Sequence, residues 1–203
     1  MKVLLINGSP HKFGCTYTAL CEVEKALNEN GIETEIFHIG TAPISSCTAC
    51  RGCRNNRCVI DDVVNSALEK AESADAFVFG SPVHYAGISG SMKSFMDRFF
   101  FAAEHKLKPG AAVVSCRRAG SSAALDILNK YMTIAQMPVV SSGYWNMVHG
   151  NTPDEVRQDL EGMWVMRTLG RNMAWLLKSI EAGREKGLAL PVAEPKLITN
   201  FIR

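Results

Sequence analysis

The sequence predicts an α/β fold, a doubly wound parallel sheet of five strands followed by a C-terminal helical extension. Two observations carry this reading. Short apolar runs recur at Val3–Ile6, Ala76–Phe79 and Ala111–Val114 without polar interruption, as expected of strands buried on both faces. Between them lie segments with apolar residues at helical spacing. Strands alternating with helices form a parallel sheet covered on both faces and joined by right-handed crossovers.

Val3–Ile6 stops at Asn7-Gly8-Ser9-Pro10. A helix is expected over 16–30, with Leu20, Val23 and Leu27 on one face and Gly31 at its C-terminal cap. Residues 32–39 alternate and predict a second strand near a sheet edge. A helix over 61–73 carries Val64, Leu68 and Ala71. The third strand, 76–79, is expected to break at Gly80-Ser81-Pro82, and a helix over 91–103 leads to the fourth strand at 111–114. A helix over 122–136 and a short fifth strand around Val139-Val140 complete the sheet. Thr152-Pro153-Asp154-Glu155 is a capping box with proline at the first helical position. It predicts one long helix carrying Val156, Leu160, Met163, Met173, Leu176, Leu177 and Ile180. Residues 188–203, with Pro191 and Pro195, read as an extended tail. The chain 1–203 reads as a single domain, with 44–60 a cysteine-bearing insertion and 141–203 the extension.

Composition narrows the function classes. The chain has 203 residues, 47% hydrophobic and 21% charged, values that exclude a disordered or collagen-like chain. Lys and Arg number 22 against 20 Asp and Glu, a formal charge of +2. That is too small for bulk electrostatic binding to nucleic acid or an anionic membrane. No apolar run approaches the ~18 residues of a membrane span, and Val3–Ile6 is too short for a signal peptide. The expected location is the cytoplasm, where the seven cysteines stay reduced.

Loops after strands one, three and four of a parallel sheet emerge at its carboxyl edge, where ligands bind. Loop one, Gly8 to Thr16, sets small residues and hydroxyls before a helix. Free amides and the positive end of the helix dipole make that a phosphate site. Gly14 is followed by Cys15, so there is no Walker A loop, and a Gly-x-Gly-x-x-Gly fingerprint is absent. Loop two, Ser81 to Gly90, combines His84 and Tyr85 with Pro82, Gly87 and Gly90 and can present amides and an apolar edge to a flat heterocycle. Loop three offers Arg117, Arg118 and Gly120. Read in isolation, each loop also fits an ordinary turn or solvated surface.

Together these segments resemble the flavodoxin-like NADPH-dependent FMN reductase family. The resemblance rests on Asn7-Gly8-Ser9-Pro10 with Thr16, and on Gly80-Ser81-Pro82-Val83-His84-Tyr85 continuing through Ser89-Gly90-Ser91-Met92-Lys93-Ser94-Phe95-Met96-Asp97-Arg98. It spans residue 2 to about residue 183. It implies the strand order 2-1-3-4-5 with FMN at the carboxyl edge. By that resemblance Ser9, His11, Cys15 and Thr16 hold the FMN phosphate. Pro82, Val83, His84, Tyr85 and Gly87 line the isoalloxazine, and Arg117, Arg118 and Gly120 close the site. The family often has Arg in place of His11 and Asn in place of Cys15, so fixed positive charge at the phosphate is expected to be lower here.

Four of the seven cysteines fall within Cys47-x2-Cys50-x2-Cys53-x4-Cys58. The spacing resembles the compact cysteine motif of the iron-sulfur flavoproteins in the same family, which carry a 4Fe-4S cluster. Four sulfurs can hold an iron-sulfur cube or one tetrahedral zinc, and such cysteines also occur without metal. Arg51, Arg54 and Arg57 would offset the charge of a thiolate-ligated cluster or dock an acidic carrier protein. Cys21 and Cys116 read as packing residues.

Three functions follow as expectations. The first is an FMN-dependent oxidoreductase taking a hydride from NAD(P)H and passing electrons to a quinone, flavin, nitro or azo compound. The second is an electron-transfer protein relaying single electrons between a ferredoxin-like partner and FMN. The third is a cysteine-based redox or metal sensor. No acid-base residue is nominated, because hydride transfer is the flavin's own chemistry. Trp164 and Trp175 read as core or subunit contacts, and Tyr144-Trp145-Asn146 with His149-Gly150 as a segment able to fold over the flavin. The second face of the long helix predicts a homodimer or homotetramer.

Overall fold

A computed structural model describes residues 1–195 and 197–199. Its elements are β1 (Lys2–Asn7), α1 (Cys15–Glu29), β2 (Glu33–His38), α2 (Val63–Glu72), β3 (Ala76–His84), β4 (Gly87–Ile88), α3 (Gly90–Ala102), β5 (Gly110–Cys116), α4 (Ser121–Ile134), β6 (Met147–His149), α5 (Pro153–Gln158) and α6 (Leu160–Glu185). The sheet runs β2-β1-β3-β5-β6, with β4 paired to β3 alone. Every pairing along that path is parallel, in register through Lys2↔Glu33, Val3↔Ala76, Phe77↔Gly110 and Val114↔Met147. Setting β4 aside, this is the order 2-1-3-4-5 that the resemblance implies.

The strands' two-residue period divides the core between two faces. Leu4, Ile6, Phe77, Phe79, Ala112 and Val114 meet α2, α3 and α4 through Leu68, Phe95, Phe99 and Leu128. Val3, Leu5, Ala76, Val78, Ala111 and Val113 meet α1 and α6 through Leu20, Val23, Leu27, Val165 and Leu169. Burial on both sides is why these strands lack alternation. Each fully buried Phe or Leu contributes about 1.5–3 kcal/mol.

Three expectations require correction. The fifth strand is β6 at 147–149, not Val139-Val140, where Val139 makes only an isolated bridge to Gly110. Val140 donates to the Gly110 carbonyl, the chain swings out over Ser141–Trp145, and it rejoins the sheet against Val114–Cys116. The third strand does not break at Gly80-Ser81-Pro82 but continues to His84. Gly80 is there for packing, since a Cβ would lie 2.9 Å from both Leu20 Cδ1 and Thr16 Cγ2. The helix launched at Thr152 is two helices, because Asp159 ends α5 and caps α6 by accepting from the Gly162 amide. The described tail beyond α6 has no regular secondary structure, and the rest of the predicted tail, 196 and 200–203, lies outside the described residues. Among the described residues, no helix is long and apolar enough to cross a membrane.

Candidate functional site

Loop one is braced from beneath by a residue whose role sequence reasoning missed. Asn7, fully buried at the end of β1, accepts from the Ser9 amide (3.1 Å) and donates to the Lys12 carbonyl (3.0 Å). An Asn at a strand end followed by Gly is the available signal, because its side chain can fold the next residues into a turn. Ser9 Oγ accepts from the His11 amide at 3.1 Å, and His38 Nε2 donates to the Ser9 carbonyl at 2.7 Å. The loop delivers the chain to α1 with Gly14 at the N-cap and no side chain capping the first turn. Helix α4, behind loop three, is likewise uncapped, with Gly120 at its N-cap in the left-handed region (φ 85°). In contrast α2, α3, α5 and α6 are capped by Asp62, Ser89, Thr152 and Asp159. Both uncapped helix starts therefore lie behind candidate binding loops at the carboxyl edge, free to bind an anion.

The three loops are tied into one edge. Gly8 donates to the Gly80 carbonyl at 2.8 Å, and Ser89 Oγ to the Gly8 carbonyl at 2.9 Å. Thr16 Oγ1 stands 2.8 Å from Ser115 Oγ, both groups buried. This candidate donor is thus engaged beneath the loop, joining α1 to β5. Cys15 Sγ donates to the Gly150 carbonyl at 3.6 Å, and burial, with the Glu155 charge, pushes its thiol pKa up. A Cβ at Gly120 would meet Ala86 Cα at 2.7 Å, so loop three rests on loop two. His11, Arg117 and Arg118 are exposed.

In loop two, Val83 pairs with Ile88 and His84 with Gly87, leaving Tyr85 and Ala86 as the turn. Their φ values are 49° and 60°, the positive pair required by a type I′ hairpin, which ordinarily uses Asn-Gly. A bulky residue there carries backbone strain of about 1–3 kcal/mol, and such strain clusters at ligand sites. Tyr85 is fully exposed, while Pro82 and Val83 are half-buried beneath it.

The cysteine segment connects β2 to α2. Cys47, Cys50, Cys53 and Cys58 line one cavity of about 390 Å³ together with Arg51, Val59, Arg98 and Phe101. Burial raises the Cys53 thiol pKa, and the charges of Cys58, Cys50 and Cys47 raise it further. The Gly52 amide and the Thr48 hydroxyl, donating to Cys50, lower its pKa. Ala49 and Arg51 both have positive φ. Gly52 admits no Cβ, which would fall 2.7 Å from Val59 Cγ1. Among the described residues no group of three or more His, Cys, Asp or Glu converges as on a single metal ion.

The closing end of this segment is held by side chains from α2 and α3. Asn65 accepts from the Cys58 amide at 2.9 Å and donates to the Cys58 and Ile60 carbonyls. Arg98, 1% exposed, donates Nε–H to Cys58 Sγ at 3.3 Å and pairs with both Asp62 oxygens at 2.5 and 2.9 Å. Neither Asn65 nor Arg98 was legible as a site residue, since nothing local in sequence relates them to Cys58. Arg57 is neutralised by Asp61 and Glu69, and Arg54 donates to the Arg51 and Cys53 carbonyls.

The model of the NADPH-dependent FMN reductase family matches residues 1–152, the span containing all three loops and the cysteine segment. The chain belongs to the NADPH-dependent FMN reductase family. It is 31% identical over 192 residues to an iron-sulfur flavoprotein of Methanocaldococcus jannaschii, covering 89% of this chain and 100% of the relative. An iron-sulfur flavoprotein of Methanosarcina thermophila is 26% identical over 193 residues, covering 92% and 100%. Among solved structures, an archaeal flavodoxin superposes with a TM-score of 0.60 at 17% identity, covering 88% of this chain and 99% of that one. The flavodoxin-like fold is thereby shown. As a member of this family the chain is an FMN-dependent oxidoreductase, and its uncapped α1 start fits a monophosphate, while no pyrophosphate fingerprint is present.

Proposed function

We propose that the chain takes reducing equivalents from NAD(P)H onto FMN at the carboxyl edge and passes them to a small acceptor such as a quinone, a flavin, or a nitro or azo compound. Bound FMN would supply hydride acceptance and one-electron release. The observation that carries the proposal is the Val83–Ile88 hairpin, which raises an exposed Tyr85 and rests its turn on Gly120 at the uncapped start of α4, on the same sheet edge as the uncapped start of α1. The α1 amides would bind the phosphate, with Ser9 and His11 beside them. Pro82, Val83 and Gly87 would seat the ring, and Tyr85 would orient a nicotinamide against it, because hydride transfer needs the two rings in contact. Mixing NADPH or NADH with the oxidised protein under anaerobic conditions should bleach the flavin band, and a quinone should restore it. No bleaching with either nucleotide would sink the proposal.

A second reading is favoured by the four thiols around one cavity and by the relatives called iron-sulfur flavoproteins. In it Cys47, Cys50, Cys53 and Cys58 hold a 4Fe-4S cluster, and a ferredoxin-like partner exchanges single electrons with it. A cube gives each thiolate its own iron around a volume, whereas one zinc draws all four sulfurs to about 2.3 Å from a point. That the four thiols line a cavity without converging on one point supports the first. Reduction of the flavin by reduced ferredoxin, but not by nicotinamide, would select this reading. The exposed Leu160, Trp164 and Trp175 of α6 support a homodimer or homotetramer, which sedimentation at micromolar concentration tests.

A further inference from the structure

We infer that Arg98 is a positioning residue of the four-thiol site, which donates Nε–H to the Cys58 sulfur and raises the reduction potential of a cluster held there. The inference rests on the iron-sulfur reading above. Arg98 lies on α3, 40 positions from Cys58 in sequence, and its side chain is 1% exposed. Every donor direction of the guanidinium is committed. Nε faces Cys58 Sγ at 3.3 Å, Nη1 the Asp62 carboxylate at 2.5 Å and the Ser45 carbonyl at 3.5 Å, and Nη2 Asp62 at 2.9 Å and the Ile60 carbonyl at 2.8 Å. Removing a buried guanidinium from water is costly, and the fork-to-fork pair with Asp62 offsets that cost. The same pair nearly cancels the charge, so what reaches the sulfur is chiefly one oriented N–H dipole.

Hydrogen bonds to ligand sulfurs are among the levers that set cluster potentials. A donor to Cys58 withdraws charge from the thiolate and favours the form carrying one more electron. Two features separate this role from mere support of the segment. Asn65 already secures the Cys58 backbone through its amide and carbonyl. Asp62→Asn keeps Oδ1 for the Val64 amide and for Arg98 Nη2 and loses the carboxylate charge with the Nη1 bond, while the Cys58, Ser45 and Ile60 acceptors still hold the guanidinium. The donor and the charge can therefore be varied separately.

Arg98→Lys keeps the cation but loses the planar Nε donor, and the midpoint potential should fall. Asp62→Asn leaves the guanidinium charge uncompensated beside the thiolate, and the potential should rise. The test is anaerobic potentiometric titration with dithionite as the electron donor, followed by electron paramagnetic resonance, with iron and acid-labile sulfide counted in each protein. A shift of about tenfold in the reduced-to-oxidised ratio at fixed potential, 59 mV for a one-electron couple, is expected in each direction. An Arg98→Lys protein with full iron and unchanged potential, or an Asp62→Asn potential that does not rise, overturns the inference alone. Should Arg98→Lys not fold, the Asp62→Asn shift decides by itself. Wild-type protein that takes up no iron and sulfide overturns the iron-sulfur reading and this inference with it.

Discussion

The carboxyl edge meets the start of α3 at Ser89, the cysteine cavity meets the same helix at Arg98 and Phe101, and the two are built by different means. At the edge, strand ends bring the loops together, and backbone bonds such as Gly8 to Gly80 and short polar side chains such as Asn7 and Ser89 fasten them. At the cavity no strand is involved. Its closing end is shaped by long-range side chains, Asn65 from α2 and Arg98 from α3, gripping a segment otherwise irregular. A site on strand ends inherits its geometry from the sheet, whereas a site on a connecting segment depends on a few polar side chains and on what it binds. The two regions should therefore fail separately.

The largest expected separation is chemical. Cys53→Ala should take iron from about four per chain to none in anaerobically prepared protein while FMN content is unchanged. Iron, sulfide and flavin analysis checks it, and loss of flavin alongside iron would show that the regions are one unit.

Acid should instead strike both regions at once, through α3. His105 is buried, stacks on Phe99 of α3 at 4.5 Å, and leaves Nε2 without a partner. Burial, with the nearby Lys108 charge, lowers its pKa from 6.5 to about 4. The folded value is below the unfolded one, so the neutral ring's contribution is complete above pH 6.5 and is lost as pH falls through 4. The loss is about 3 kcal/mol. Denaturant unfolding between these limits should show that slope in the wild type, and His105→Phe should flatten it.

A smaller effect is expected at the cavity alone. Asn65→Ala strips partners from the Cys58 amide and carbonyl, at a cost of about 2 kcal/mol. Cluster retention should drop while FMN affinity stays unchanged, as iron content and flavin titration would report. The smallest belongs to the edge. Tyr85→Gly relieves a left-handed backbone and should raise stability by about 1 kcal/mol. Flavin reduction by NAD(P)H should nevertheless slow, which stopped-flow absorbance would detect. An unchanged rate would remove Tyr85 from the proposed orienting role.

Much of this was legible in the sequence because it depends on local pattern. Val3–Ile6, Ala76–Phe79 and Ala111–Val114 announced strands buried on both faces, and the small residues and hydroxyls of Gly8 to Thr16 announced a loop leading into a helix start able to bind phosphate. The spacing of Cys47, Cys50, Cys53 and Cys58 was enough to place four thiols within reach of one another. Periodicity, chain breakers and short spacings act over a few residues, so the chain carries them wherever it folds. Tertiary structure alone decided that Thr16 turns its hydroxyl to Ser115, that the last strand forms at Met147–His149, and that Arg98 meets Cys58. Each of these joins groups distant in sequence whose meeting depends on the strand order and on the packing of α2 and α3. Polar partners so far apart leave no periodic trace, because a buried donor finds its acceptor only after the core has chosen which helices stand side by side.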